Sequence, residues 1–177
     1  MKARSRRKLK HPHRSRARIT SDHLRVLAQI AKQERDDFFK RNPGQSPFYQ
    51  RRFIAAALCQ GAALHYLGLG TGVKDFDVHL FYEQHPVRRQ MARAVRRLPR
   101  QIDRFGKRQV DIIRTVIPRR ITRNNRGGIA VIRAFLVDKP TQNAKHLAQK
   151  PVIGLLPKAI LARVVWPDLR LLRRRGR

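Results

Sequence analysis

The chain has 177 residues, of which 42 are Lys or Arg and 11 are Asp or Glu, so its net charge is +31. A hydrophobic fraction of 41% is sufficient for a folded core and excludes a wholly disordered chain. The single cysteine excludes an internal disulfide, and no Cys/His spacing indicates a zinc site. No apolar run reaches the ~18–20 residues of a membrane span, and no secretory signal is visible, so we expect a cytoplasmic protein. An organellar transit peptide is the alternative interpretation of the Arg-rich start.

The charge distribution predicts one domain between two basic tails. Residues 1–20 contain nine basic and no acidic side chains and are predicted to form a disordered basic arm. Residues 169–177 contain five basic and no acidic side chains and form a C-terminal tail. The domain between them, 21–168, keeps 28 basic against 11 acidic residues. Such an excess indicates a polyanionic partner, most simply nucleic acid, with an anionic membrane surface as the weaker alternative.

The first half of the domain is predicted to contain a helix and a strand. Apolar residues from Leu24 to Phe38 recur on one helical face, and the breaker Asn42-Pro43-Gly44 ends that helix. The run 53–58 is apolar on all sides and indicates a buried helix or the entry from a helix into a strand. After a glycine-rich turn, the alternation over 73–82 predicts a strand.

The second half is predicted to mix helices and strands. The predicted elements are a helix over 87–98 ended by Pro99, a strand over 108–117, a strand over 129–137, a helix over 140–149 and a helix over 152–166. This mixture predicts an α/β (or α+β) fold with a small mixed sheet flanked by helices.

The few acidic residues include a pair on a predicted strand. Asp75 and Asp77 are separated by one residue, so both carboxylates project from the same face, together with His79. Like charges this close repel each other unless a cation lies between them, and Mg²⁺ prefers such oxygen ligands. Asp111 lies between Val110 and Ile112 on the other predicted strand, where a charge needs a partner. The alternatives are a chance spacing for the pair and an arginine salt bridge for Asp111.

Three segments together resemble the DNA polymerase β-type nucleotidyltransferase superfamily. LCQGAA at 58–63 and DFDV at 75–78 resemble its signature of a hydrophobic residue, Gly and Gly/Ser, followed by D-h-D-h, and twelve residues separate Ala62 from Asp75. RQVDII at 108–113 resembles the region of the third carboxylate of that family. More narrowly, LCQGAALHY, GVKDFDVHLFY and TQNAKHLAQKPV resemble a group of small bacterial nucleotidyltransferase-like proteins, over roughly residues 36–166.

The resemblance implies a metal-dependent transfer of a nucleoside monophosphate from an NTP to an acceptor hydroxyl, with release of pyrophosphate. Asp75, Asp77 and Asp111 would be the catalytic residues and would bind Mg²⁺ or Mn²⁺, and two such ions would stabilise the attacking and leaving oxygens. Gly61 and Ala62 would approach the phosphates. Ala62 departs from the Ser or Gly common in the family, so only its backbone N–H is available there. The alternative is therefore a degenerate site used only for binding.

Two lysines are further candidates for nucleotide binding. Lys74 directly precedes the acidic pair, and Lys150 follows the later predicted helix. For each, a solvated surface lysine is the alternative. Cys59 and His65 are predicted to be core residues. No P-loop is present, because the glycines at 68, 70 and 72 lack the G-K-[ST] ending.

The basic residues around Asp111 are predicted to bind a nucleic-acid acceptor. Residues 86–126 contain 14 basic and two acidic side chains. The candidates for contact with nucleic acid, with RNA favoured, are Arg89, Arg93, Arg96, Arg97 and Arg100. The first four are predicted to share the helix side opposite the apolar stripe. A solvated helix face is the alternative.

Two functional hypotheses follow from these patterns. The first is a metal-dependent nucleotidyltransferase that acts on a nucleic-acid or protein acceptor, with RNA favoured. The second is a non-catalytic, basic RNA-binding protein, associated with the ribosome, that uses a degenerate nucleotidyltransferase fold. Because some members of the superfamily are one half of a toxin–antitoxin pair, the resemblance also leaves an antitoxin-like protein partner open.

Overall fold

The structure, a computed structural model, describes residues 14–70, 72–88, 90–91, 95–101, 105 and 107–167. Within these residues the chain forms six α-helices and six strands. The helices are α1 (Ser21–Arg41), α2 (Ser46–Tyr49), α3 (Gln60–Tyr66), α4 (Arg119–Asn124), α5 (Gly128–Asp138) and α6 (Gln142–Leu147). The strands are β1 (Phe53–Cys59), β2 (Asp75–Glu83), β3 (Val95–Gln101), β4 (Lys107–Ile117), β5 (Val152–Leu156) and β6 (Val164–Trp166).

All six strands form one mixed sheet in the order β3-β4-β2-β1-β5-β6. β2 and β4 are parallel, and every other neighbouring pair is antiparallel. The chain leaves β2, passes through the edge strand β3 and returns as β4 beside β2. The predicted mixed α/β class with a small mixed sheet is therefore confirmed.

Helices cover both faces of the sheet. On one face, α1 packs its residues Leu24, Leu27, Ala31 and Phe38 against the even-numbered side chains of β2, from Phe76 to Tyr82. On the other face, α5 and α6 pack against Ala57, Cys59 and Phe81. β1 and β2 are buried on both faces over most of their length, which explains why the apolar run in β1 has no period. None of the helices described here is long and apolar enough to cross a bilayer.

Several predicted elements are confirmed with small shifts of their ends. α1, β2, β4 and α6 correspond to the predicted helix, strand, strand and helix. The domain also includes part of the segment predicted as an arm, because Ser15 forms two backbone hydrogen bonds with Val73 and Ile19 is buried. Residues 1–13 and the tail 169–177 lie outside the described residues.

The helix predicted over 87–98 is wrong: none of its described residues is helical, and its last four residues belong to a strand. Residues 95–101 form β3, which pairs antiparallel with β4 from Val95↔Ile113 to Gln101↔Lys107. Pro99 does not end an element but lies inside this strand. β3 is at the edge of the sheet, where a residue without an N–H is tolerated because one side of the strand has no partner.

Two further predictions are wrong in element type. The stretch predicted as a strand over 129–137 is α5, and the stretch predicted as a helix over 152–166 is β5 and β6 joined by a 3₁₀ turn. The run 53–58 is a strand that directly follows a 3₁₀ turn, which agrees with the predicted entry from a helix into a strand and not with a buried helix. Continuous apolar runs fit a buried helix and a buried strand equally well, so period gives no decision in these segments.

Candidate functional site

The three predicted carboxylates lie on adjacent strands and on one face of the sheet. Asp77 of β2 is the direct Cα partner of Asp111 on the parallel strand β4. Cys59 of β1 is its partner on the other side, and Arg97 of β3 is the partner of Asp111. Residues in register project to the same face, so these four side chains form one row across the sheet. Asp75, two residues before Asp77, belongs to the same face and is opposite Gln109. We call Asp75, Asp77 and Asp111 the carboxylate site.

Asp111 has two partners from neighbouring residues of the sheet. Gln109 donates a hydrogen bond from Nε2 to Oδ1 of Asp111 over 2.9 Å. The Nε of Arg97 lies 3.7 Å from Oδ2 of Asp111, and the Arg97 side chain is 72% exposed. An ion pair at this distance and exposure contributes little to stability. The salt bridge considered as the alternative for Asp111 is thus present but loose, and Arg97 remains accessible to a ligand.

Asp77 lies in an environment that opposes its negative charge. Burial, followed by the charges of Asp75 and Asp111, raises the pKa of Asp77 to about 6, while Lys150 and Lys74 act in the opposite direction. Among the described residues, neither Asp75 nor Asp77 has an ion-pair partner within 4 Å. In a chain with 42 basic side chains, two carboxylates on a sheet without a paired cation are a costly arrangement.

The site is not a metal cage formed by protein side chains alone. Within the described part of the chain, no three His, Cys, Asp or Glu side chains are arranged to hold a metal ion. Mg²⁺ sites commonly use one or two carboxylates, with the remaining ligands supplied by water and substrate phosphates. Carboxylate oxygens are the ligands that a hard divalent cation prefers, and like-charged carboxylates repel one another less when a cation lies between them.

The junction of β1 and α3 borders the same end of the sheet. α3 directly follows Cys59, the Cα partner of Asp77, and its first residue, Gln60, has a left-handed backbone with φ of 60°. Gly61 is exposed, and a Cβ placed there would meet no atom within 4 Å. Protein atoms therefore leave room for a ligand to approach the backbone at Gly61. Ala62 is only 1% exposed and packs in the core, so its side chain is unavailable to a ligand.

The two predicted lysines lie close enough to the site to influence it. Both Lys74, directly before β2, and Lys150, shortly before β5, lower the pKa of Asp77. β5 is antiparallel to β1, so its first residues lie at the end of the sheet where β1 finishes. Lys74 and Lys150, which are 76 positions apart in sequence, thus both lie near enough to Asp77 for their charges to act on its carboxylate.

The prediction that Arg96 and Arg97 share one side of a helix is wrong. Arg96 and Arg97 are neighbours on β3 and therefore project to opposite faces. Arg97 is on the side of Asp111, whereas Arg96 lies 3.3 Å from Glu34 of α1 on the other face. Arg89 and Arg93 lie outside the described residues. Arg100 is on β3, opposite Arg108, and its side chain is likewise outside the description.

His79 and Cys59 are core residues rather than ligands. His79 is 3% exposed, its Nδ1 lies 2.9 Å from the Thr115 hydroxyl, and burial together with His146 lowers its pKa to about 3. Although His79 shares the face of Asp75 and Asp77, it is buried there, because α6 packs over this part of the face. Cys59 is fully buried, as predicted, and burial raises the pKa of its thiol.

Two residues that contact the site were not singled out from the sequence for that contact. Gln109 was not a candidate, and Arg97 was predicted to lie on a helix rather than on the strand beside Asp111. The signal for Gln109 is its position two residues before Asp111 on a strand, which places both on one face. The strand β3 was not predicted because Pro99 is typical of the end of a helix.

Comparisons with protein-family profiles, with curated proteins and with solved structures gave no match to this chain.

Proposed function

We propose that the protein is a metal-dependent nucleotidyltransferase that transfers a nucleoside monophosphate from an NTP to a hydroxyl of an RNA acceptor. The observation that carries the proposal is the register of Asp77 and Asp111 on parallel strands, with Asp75 on the same face. The resemblance of LCQGAA, DFDV and RQVDII to the DNA polymerase β-type superfamily expects three carboxylates from two separate strands to meet in this way.

The residues of the site suit the chemistry of phosphoryl transfer. Mg²⁺ or Mn²⁺ held by Asp75, Asp77 and Asp111 would supply charge neutralisation at the phosphate oxygens. Lys74 and Lys150 contribute positive charge beside the same carboxylates and favour a triphosphate there. The acceptor oxygen forms a bond to the α-phosphorus, the bond from that phosphorus to the pyrophosphate oxygen breaks, and a carboxylate of the site accepts the hydroxyl proton.

The basic surface supports a nucleic-acid acceptor. Arg97, with its 72% exposed side chain, is directly beside Asp111 on the same face. The net charge of +31 favours a polyanion at long range, and contacts to phosphate carry no sequence information. RNA binding should therefore weaken steeply as salt increases, and a flat salt response would contradict nucleic-acid binding altogether.

One observation favours a second candidate, an RNA-binding protein without catalysis. Asp111 already accepts a hydrogen bond from Gln109, and within the described residues no three ligating side chains enclose a metal position. In that case, the carboxylate site would be a remnant of a catalytic fold. The two candidates differ in whether any nucleotide is transferred.

The deciding experiment is transfer of label from each α-labelled triphosphate to total RNA in the presence of Mg²⁺ or Mn²⁺. Asp75→Asn combined with Asp77→Asn should abolish transfer and leave RNA affinity equal or higher, since it removes two negative charges from a basic surface. Asp37→Asn on α1, outside the site, is the matched control and should retain transfer. Absence of transfer by the unmodified protein with every triphosphate, alongside salt-dependent RNA binding, would establish the second candidate instead.

A further inference from the structure

A cavity of about 490 Å³ lies along β4 on the face that carries the carboxylate site. Ile113 and Thr115 of β4 line it, and both have the side-chain direction of Asp111. Val95 at the start of β3 and Asn143 of α6 also line it. Its volume falls within the range of roughly 300–1,000 Å³ that is usual for small-molecule sites.

Within the described residues, the part of β4 that borders the cavity beyond Ile113 is not paired with β3. The described pairing between these strands begins at Val95↔Ile113, whereas β4 continues to Ile117. Arg114, Thr115 and Val116 all border the cavity, which brings the main chain of β4 to its wall. A strand edge presents N–H and C=O groups that can bind a planar ligand side-on.

The lining suits an uncharged ligand with both donors and acceptors. Four carboxamide side chains border the cavity: Gln84, Gln90, Gln142 and Asn143. Each carboxamide can donate and accept hydrogen bonds. None of the described lining residues is acidic. The one cation among them, Arg114, directs its guanidinium to the opposite face, 3.4 Å from Glu34 and 3.7 Å from the centre of the Phe38 ring.

Apolar side chains also line the cavity. Val95 and Ile113 contribute aliphatic surface beside the carboxamides. Aliphatic walls with a few fixed hydrogen-bonding groups are typical of sites for heterocycles. The walls contact the faces of the ring, and the polar groups form hydrogen bonds with the atoms at its edge.

A hydrogen bond to Thr115 orients the Asn143 side chain before any ligand binds. Its Nδ2 donates to Oγ1 of Thr115 over 3.0 Å, and that hydroxyl also contacts the buried ring of His79 at 2.9 Å. Thr141 caps α6 by accepting a hydrogen bond from the N–H of Ala144, so the segment that carries Asn143 is held in place. A group held in this way selects a ligand with less loss of entropy on binding.

We propose that this cavity binds the nucleobase of the nucleotide whose phosphates face the carboxylate site, an inference that rests on the proposed nucleotidyltransferase function. Ile113 is two residues from Asp111 on the same strand face, a separation of about 7 Å at ~3.3 Å per residue. One ribose spans the gap between a base in the cavity and its 5′ phosphates beside Asp111. The cavity, rather than the basic surface, then determines which triphosphate is used, and Asn143 is a specificity-determining residue.

The test fills the cavity without altering the carboxylates. Val95 is 56% exposed at the start of an edge strand, so Val95→Trp is expected to fold, and Val137→Trp on α5, at a position 64% exposed and outside this cavity, is the matched control. Binding of the four unphosphorylated nucleosides to the full chain is measured by ligand-observed NMR without metal. KM for each triphosphate is measured in the transfer assay, and circular dichroism checks the fold.

The expected result is binding of a preferred nucleoside, weakened at least tenfold by Val95→Trp and unchanged by Val137→Trp. Asn143→Leu should reduce the preference among the nucleosides while it leaves the affinity for pyrophosphate unchanged. If transfer occurs but Val95→Trp and Asn143→Leu leave every KM and the nucleotide preference unchanged, the base lies elsewhere and the cavity assignment is overturned, while the proposed function stands. If nucleosides bind in the cavity but the unmodified protein transfers nothing, base recognition stands and the proposed catalysis fails.

Discussion

Replacement of Asp77 by asparagine is expected to stabilise the metal-free protein at neutral pH. In the folded chain, burial and the charges of Asp75 and Asp111 oppose ionisation of Asp77 and raise its pKa to about 6. Asparagine has nearly the same shape without the charge, so it removes the repulsion. A stabilising substitution of this kind is the opposite of the usual result for a partly buried side chain.

The magnitude and its pH dependence follow from the two pKa values. A pKa of about 6 in the folded state against the ordinary 3.8 corresponds to about 3 kcal/mol at 1.36 kcal/mol for each tenfold step. Below pH 3.8 Asp77 is protonated in both the folded and the unfolded state, so it does not lower the free energy of unfolding. As pH rises from 3.8 to about 6, the unfolded chain ionises first, and folding loses stability until the folded state ionises too. The advantage of the variant is therefore small near pH 4 and reaches at most about 3 kcal/mol above pH 7.

The assay is urea unfolding of wild type and Asp77→Asn at pH 4, 5, 6 and 7.5, each with EDTA. The difference between the two proteins cancels the pH dependence of all other groups, and at pH 7.5 it corresponds to a rise in Tm of at most about 12 °C. Asp37→Asn, a half-buried carboxylate on α1 only 4.0 Å from Lys40, is the control and should change stability by less than ~0.5 kcal/mol. Equal stability of Asp77→Asn and wild type across this pH range would refute the electrostatic account of the site. Mg²⁺ in place of EDTA should then stabilise wild type but not the variant, because a ligand stabilises only the state that binds it.

Three further predictions concern the rest of the domain. Glu34→Gln should cost about 3–5 kcal/mol in urea unfolding, because it leaves the buried guanidinium of Arg114 without its counter-charge; a cost below ~1 kcal/mol would contradict this. Ala62→Ser should cost about 1–3 kcal/mol and should not tighten triphosphate binding, since the new hydroxyl would enter the core; tighter binding would show that the side chain at 62 reaches the ligand. Cys59 should react with iodoacetamide at pH 8 more than roughly 100-fold more slowly in the native protein than in urea, because burial excludes the reagent and raises the pKa of the thiol; equal rates would place Cys59 at the surface.

The parts of the fold that were predictable are those with an unambiguous period. The apolar residues of α1 recur every three or four positions, and the alternation from Asp75 to Tyr82 identified β2 and the face that holds its two carboxylates. By contrast, α5 and β5 are short apolar runs buried by their neighbours, so their identity depends on tertiary packing that no local pattern records. The helix end predicted at Pro99 was wrong for a related reason. A proline is tolerated in β3 because that strand lies at the edge of the sheet, which the local sequence does not show.

The candidate site was predictable in its members but not in its geometry. Strand alternation alone predicts that Asp75 and Asp77 share one face. That Asp111 belongs to the same site was predicted only from the resemblance to a known superfamily. β2 pairs with β4 although Asp77 and Asp111 are 34 residues apart in sequence and β3 lies between the two strands along the chain. The proximity of Lys150 to Asp77 depends likewise on the pairing of β5 with β1. Long-range strand order of this kind is set by the burial of whole faces rather than by local residue choice.

Glu34 and the carboxylate site differ in how their negative charge is neutralised, and this contrast supports the proposed binding of a cation. On the α1 face, Glu34 is 4% exposed and lies within 4 Å of three arginines: Arg41, Arg96 and Arg114. On the other face, Glu83 at the end of β2 is likewise paired, with Arg52 and Arg119. At the carboxylate site, by contrast, the described chain places one loosely paired arginine beside Asp111, and the charges of Asp75 and Asp111 raise the pKa of Asp77. A chain with 42 basic residues does not lack arginines for such pairing. Burial and like charge therefore make ionised Asp77 costly in the folded state, and the divalent cation of the proposed function would offset that cost, as expected where function rather than stability determines the residues.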